Sequence, residues 1–177
     1  MALRLSAYIA ALARPQLFGW TSGGTWCWAN GFALWYVADA GQSVPLFGCA
    51  TDYVGVFLFL FGITFELVAD IQKYKFNAAF KAGMNKKWIA TGLWARSRHP
   101  NYFGETTLWL GVALLCMSGQ LTIFSVGVCL VTPIFSFVFL LFTSLMLLEK
   151  RADAKWGTVP EYLKYKATTP VWLPRIF

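Results

Sequence analysis

The sequence predicts an all-α, polytopic integral membrane protein with about four transmembrane helices and a cytoplasmic amphipathic segment at its C-terminus. Three observations predict it. Of 177 residues, 58% are hydrophobic and 13% are charged, against about 25% charged in a soluble domain. A single core of this size cannot hide that much apolar surface, and a bilayer removes the need. Apolar segments alternate with polar breaks along the chain. With four spans, all 15 Lys and Arg fall on one side, and the opposite loops hold only Asp39 and Asp52. The positive-inside rule makes the basic side, with both termini, cytoplasmic.

Residues 1–24 form an N-terminal amphipathic or targeting segment, and residues 25–177 form the membrane domain. Leu5, Tyr8, Ile9 and Leu12 recur at helical spacing beside Arg4 and Arg14, and no acid precedes Asp39. Segment 25–38 is apolar but shorter than the ~20 residues of a span; tilt, or extension through Gly48, completes it. Asp39, Gly41, Gln42 and Pro45 make a loop. Segment 52–72 is the second span and carries Glu66 and Asp70 in its last turns. A basic loop, 73–98, follows, with Trp88 and Trp94 expected at the interface. Segment 102–117 is the third span, broken off at Ser118, Gly119 and Gln120. Segment 121–148 is the fourth, with a kink expected at Pro133. The tail, 149–177, mixes basic residues with Trp156, Tyr162, Tyr165 and Trp172. It is either an interfacial helix or a lid of aromatics and cations over a planar cofactor.

The net charge of +7 follows from this topology, and the base-reading modules of a nucleic-acid partner are absent. Cys27, Cys49, Cys116 and Cys129 are widely spaced, and His99 is the sole histidine. No metal site and no disulfide framework is expected, and the cysteines are packing residues.

Glu66 and Asp70 are four apart and share a helix face. Carboxylates within a span are costly unless they face protein, water or a partner. Both are therefore expected to face an internal polar pocket, with an Asp70–Lys73 pair at the headgroup level as the alternative. The stretch RSRHPNYFGE, residues 96–105, concentrates polar chemistry at the edge of an apolar run. Pro100 disfavours helix geometry at His99 and is itself favoured in a first turn, so a helix is expected to start there. Its unsatisfied N–H groups attract anions. Arg96 and Arg98 add forked charges suited to phosphate, and Asn101 and Tyr102 add donors. Glu105 either compensates the helix dipole or accepts a hydrogen bond from a ligand.

The strings GLWARSRHPNYFGE (92–105), FELVADIQKYKF (65–76) and EKRADAKWGTVPEYLKYKATTPVWLP (149–174) resemble the C-terminal half of membrane reductases related to steroid 5-alpha-reductase, over roughly residues 52–177. Sterol C14 and delta-7 reductases share the RHPNY block, and isoprenylcysteine carboxyl methyltransferases carry a shorter version. The resemblance implies NADPH bound by Asp70, Arg98, Asn101 and Tyr102, joined by Arg96 and His99. Glu105 is similar to an acid in the family's pocket, and Tyr162 and Tyr165 resemble tail aromatics that close over the nucleotide. It further implies reduction of a carbon–carbon double bond in a steroid-like or enone lipid. For that chemistry Glu66, facing the pocket and protonated through burial, and Tyr102 are the candidate donors to the substrate oxygen. The alternatives are an S-adenosylmethionine-dependent lipid or isoprenylcysteine methyltransferase and a non-catalytic membrane scaffold. Expected partners are the bilayer and a hydrophobic small molecule. Relative to steroid 5-alpha-reductases the chain is short upstream of the match, so the expectation is either that a partner or second protomer supplies helices or that the chain is a shortened gene product. Endoplasmic reticulum, plastid and bacterial inner membrane fit equally.

Overall fold

The computed structural model describes residues 23–38, 47–84, 87–117 and 122–175. Most of the expected segment 1–24 and the loop around Asp39 and Pro45 lie outside those residues. The described residues are helical and contain no strand. Helix α1 occupies 23–38, and α2 runs Ala50–Lys81. A short 3₁₀ turn, Gly92–Ala95, precedes α3, Pro100–Cys116. Next come α4, Ile123–Leu140, a π turn at Leu141–Leu145, and α5, Met146–Trp156. The last helix, α6, is Pro160–Thr168. Among the described residues two helices are long and apolar enough to cross a membrane: α2, and the continuous α4–π–α5 rod Ile123–Trp156.

Helix α2 starts where Asp52 accepts hydrogen bonds from the backbone N–H groups of Gly48 and Cys49, both at 2.8 Å. This satisfies donors that the first turn leaves open. The sequence predicts a span ending near Gln72, yet the helix continues for 32 residues, about 48 Å. Residues 73–81 contain no Gly or Pro, so nothing in the expected loop stops it. The stop comes at Gly83, whose φ of +75° needs no Cβ. There Gly83 N–H donates to Phe80 O and Met84 N–H to Ala79 O, both at 3.0 Å, a paired closure of the last carbonyls.

The α4–α5 rod also overruns its expected end and carries Glu149 and Asp153 on its final turns. Its N-terminus is fixed by a reciprocal pair, Ser125 N–H to Thr122 Oγ1 at 3.1 Å and Thr122 N–H to Ser125 Oγ at 3.0 Å. The α-helix continues past Pro133, and the departure from α geometry falls at the π turn instead.

The most extensive helix contact joins α2 and α3, and glycine makes it. Gly55 and Gly62 face Gly104 and Gly111. A Cβ at Gly104 would stand 2.7 Å from Glu66 N and 2.8 Å from Gly62 O; one at Gly111 would stand 2.7 Å from Gly55 O. The two backbones touch, as small residues permit where lipid supplies no hydrophobic drive between helices. Helix α1 joins α4 through a buried bond from Ser136 Oγ to Asn30 Oδ1, 2.5 Å. Ala33, Ala113, Met117 and Cys129 form the small core beside it.

Gly104→Ala should lower unfolding stability by about 1–3 kcal/mol, since the backbone opposite cannot move aside. Gly127→Ala, which would meet nothing within 4 Å, should be neutral or stabilising by up to about 1 kcal/mol. Thermal unfolding of the two variants in one detergent checks the contrast.

Candidate functional site

The RSRHP loop is held by the C-terminal tail. Arg98 N–H donates to Pro170 O at 2.9 Å, His99 N–H to Val171 O at 3.1 Å, and Arg175 N–H to Arg96 O at 2.9 Å. Ser97, fully buried, donates from Oγ to Trp172 O at 2.8 Å. Trp172 then packs edge-on against Phe103 of α3 and Phe137 of α4. The tail is a strap along the loop, and it fixes the backbone from which Arg98 and His99 project.

Both side chains reach Glu149 at the start of α5. Arg98 Nη1 is 2.6 Å from Glu149 Oε2, and His99 Nε2 is 2.8 Å from Oε1. Lys166 of α6 stands 3.8 Å from Glu149 and 2.5 Å from Asp153. Tyr165 donates its hydroxyl to Trp94 O at 2.7 Å, and Tyr162 donates to Asp153 at 3.3 Å. The sequence places Trp88 and Trp94 at a lipid interface; the structure places them inside this cluster. Trp94 is 3% exposed and donates its indole N–H to Ala69 O at 3.0 Å. Trp88 packs against Trp156, Tyr162 and Tyr165. Arg98, His99, Lys73, Glu149, both tyrosines and both tryptophans line one cavity of about 190 Å³. Burial pushes the Tyr162 phenol up to about 12, with the Asp153 and Glu149 carboxylates adding to it. Burial also raises Tyr165. Both phenols therefore stay neutral at physiological pH.

A second cavity, about 340 Å³, opens on the other side of the α2–α3 contact. Glu66, Asp70 and Glu105 line it with Trp26, Trp109, Ile63, Leu67 and Leu108. The close approach of Gly104 to Glu66 brings the two acidic turns together. Trp109 lines it beside Glu105 and meets Trp26 edge-on at 5.7 Å. No basic side chain lines this cavity among the described residues. Lys73 sits over the Trp94 ring at 5.1 Å, and no ion pair joins it to Asp70.

The expected site residues thus fall into groups. Arg98, His99, Tyr162 and Tyr165 share the first cavity, and Glu66, Asp70 and Glu105 share the second. Tyr102 lies at the start of α3, stacked on His99 at 5.5 Å. Asn101 is half-buried there, with no partner for Oδ1. Arg96 is exposed and lines neither cavity. Glu149, Lys166, Trp88, Trp94 and Trp109 belong to the arrangement without having been expected in it. Glu149 carried a usable signal, a lone acid directly after a long apolar run.

The family described as "Protein of unknown function (DUF1295)" matches residues 4–169. The chain belongs to this family. DUF1295 is a steroid 5-alpha-reductase-like family, and its match reaches well upstream of residue 52, where the motif resemblance began. An uncharacterized protein of Schizosaccharomyces pombe is 30% identical over 95 residues, covering 45% of this chain and 27% of that protein. The chain thus spans about a quarter of the length of that relative. No solved structure matches.

A raised phenol binds its proton more tightly in the folded state. Tyr162 therefore contributes stability that is complete below its ordinary value of 10.0 and lost as pH rises toward about 12. Tyr162→Phe should flatten the loss of unfolding stability between those values, measured by chemical denaturation across the alkaline range.

Proposed function

We propose that this DUF1295 protein is a membrane-embedded oxidoreductase that uses NADPH to reduce a carbon–carbon double bond of an enone or steroid-like lipid. In this reading the chain crosses the bilayer about four times, with the basic segments cytoplasmic. The observation that carries it is the pair of cavities flanking the start of α3, one cationic and aromatic, the other acidic and sunk among apolar helices.

The first cavity fits the phosphate-bearing part of a dinucleotide. Arg98 Nε and Nη1 and Trp88 Nε1 are buried and make no hydrogen bond, and Lys73 adds a further positive charge. Tyr162, Tyr165 and Trp88 supply faces for stacking. At about 190 Å³ the space holds part of the cofactor, below the ~300–1,000 Å³ of a whole ligand pocket. Arg98, His99, Tyr162 and Tyr165 would hold NADPH there, with Asn101, Tyr102 and Arg96 at the α3 end; Asp70 and Glu105 sit at the acidic cavity. When bound, NADPH supplies the hydride, which goes to the β carbon of the enone.

The chain's own residues do the rest. Glu66, in its protonated form, donates a hydrogen bond to the substrate carbonyl oxygen, where negative charge develops. Leu108 and Trp109 border the acidic cavity on the α3 side. Tyr102 is a second donor. The α carbon then takes a proton from water, which completes the saturated ketone.

A second reading rests on the three carboxylates of the acidic cavity. S-adenosylmethionine carries a sulfonium cation, which Glu66, Asp70 and Glu105 beside two tryptophans would favour. That reading makes the protein a lipid or isoprenylcysteine methyltransferase.

A fluorescence titration of the purified chain separates the two. Saturable quenching of NADPH fluorescence is expected, and Arg98→Ala should weaken it by about 10–100-fold, the effect of removing a buried charge partner. Binding of S-adenosylmethionine without an NADPH response would establish the methyltransferase; binding of neither would reject both. Glu66→Gln should leave NADPH affinity within about twofold and reduce enone turnover by about 10²-fold or more. Unchanged turnover in Glu66→Gln and Tyr102→Phe would remove both from the chemistry.

A further inference from the structure

Arg98 is nine-tenths buried, with 10% of its side chain exposed, yet its Nε and Nη1 donors make no hydrogen bond to any described residue. Nη1 lies 2.6 Å from Glu149 Oε2 but out of line for an N–H to point at it. The contact neutralises charge without using the guanidinium fork. The reason is that Glu149 is shared. Its other oxygen is taken by His99 Nε2 at 2.8 Å, so the carboxylate cannot turn both oxygens toward Arg98. A guanidinium prefers two parallel bonds to one oxyanion. The Trp88 indole N–H, on the wall of the same cavity, is also buried without an acceptor. Buried donors left open destabilise the empty site and favour a ligand that brings oxygens to them.

Glu149 also has somewhere to go. Lys166 Nζ stands 3.8 Å from Glu149 Oε2 and is itself held at 2.5 Å by Asp153. A carboxylate whose Oε2 releases Arg98 would keep Lys166 as an opposite charge beside that same oxygen.

We propose that Glu149 is a resident counter-ion occupying the oxyanion seat of Arg98, and that a phosphate-bearing ligand enters by displacing it toward Lys166. The proposal deepens the assignment of this cavity to the phosphates of a nucleotide and rests on that assignment for the natural ligand. An incoming phosphate presents two oxygens to the fork, which the shared carboxylate does not. Displacement also makes the seat selective. Only a ligand bringing negative charge can replace a carboxylate beside a buried guanidinium, so a neutral nucleoside gains nothing from Arg98.

The test titrates the purified full chain with inorganic pyrophosphate, which carries the charge without nicotinamide or adenine, and in parallel with NADPH. Removing the competitor should tighten binding: Glu149→Gln is expected to raise pyrophosphate affinity about 10-fold. It should also lower Tm without ligand and enlarge the Tm rise on adding pyrophosphate. Equal or weaker pyrophosphate binding overturns the proposal, because a Glu149 that merely positions Arg98 would weaken the site when neutralised. Glu149→Asp keeps the charge but withdraws it from Arg98, and covers the case in which Glu149→Gln does not fold; it too should bind more tightly, and no gain there has the same consequence. Lys166→Met should weaken binding several-fold in the native background and have little effect beside Glu149→Gln. An equal effect in both backgrounds would show Lys166 acting on the ligand directly, which overturns displacement. Tighter pyrophosphate binding without any NADPH binding would leave the seat standing and reject the nucleotide assignment. NADPH binding with no gain in Glu149→Gln would reject the seat alone.

Discussion

The backbone contact between α2 and α3 is the constraint on which the rest of the molecule depends. Lipid tails solvate apolar side chains as well as another helix does, so these helices gain little from burying Phe or Leu against each other. They gain from approach close enough for dispersion and Cα–H···O contacts between main chains. Gly55, Gly62, Gly104 and Gly111 allow that approach and fix its register, because a Cβ at any of the four would overlap the opposite helix. The register sets Glu66 beside the first turn of α3, and it presents Phe65 to Phe103 at 5.4 Å. It also fixes the height at which α3 begins, and so where the RSRHP loop must sit.

Around that fixed pair the chain assembles a polar end from distant parts. The 3₁₀ turn docks on α2 through Leu93 N–H to Gln72 Oε1 at 2.9 Å and through the Trp94 indole. The tail straps the loop from the other side. The overrun of the α4–α5 rod delivers Glu149 between Arg98 and His99, and α6 brings Lys166 and the two tyrosines. The cations Arg98 and Lys73 thereby line one cavity, where Glu149 is the acid, while Glu66, Asp70 and Glu105 line another.

Much of this is legible in the sequence, for local reasons. Apolar runs and one-sided charge are properties of short windows. The start of α3 follows from Pro100 alone, since proline's fixed φ and missing N–H suit a first turn. That Glu66 and Asp70 share a face follows from helical period. What escapes the sequence depends on contacts between distant segments. The seven-residue spacing of the glycines is visible, but whether they face a partner is decided by the neighbouring helix. Trp88 and Trp94 have the composition of interface anchors; only the approach of α6 and α2 makes them internal. Helix ends escape the sequence where charge resembles a break: residues 73–81 are basic, and a basic stretch with no Gly or Pro remains helical. Glu149 reads as a helix-end acid until the loop and tail bring Arg98 and His99 to it.

The glycine contact creates the acidic cavity, and a direct distance measurement tests this. In a chain whose native cysteines have been replaced, cysteines at Glu66 and Glu105 are treated in lipid vesicles with a short bifunctional thiol reagent. Efficient cross-linking is expected with the four glycines intact, and its loss when Gly62 is replaced by leucine. Absence of cross-linking with the glycines intact, or cross-linking indifferent to Gly62→Leu, would contradict it.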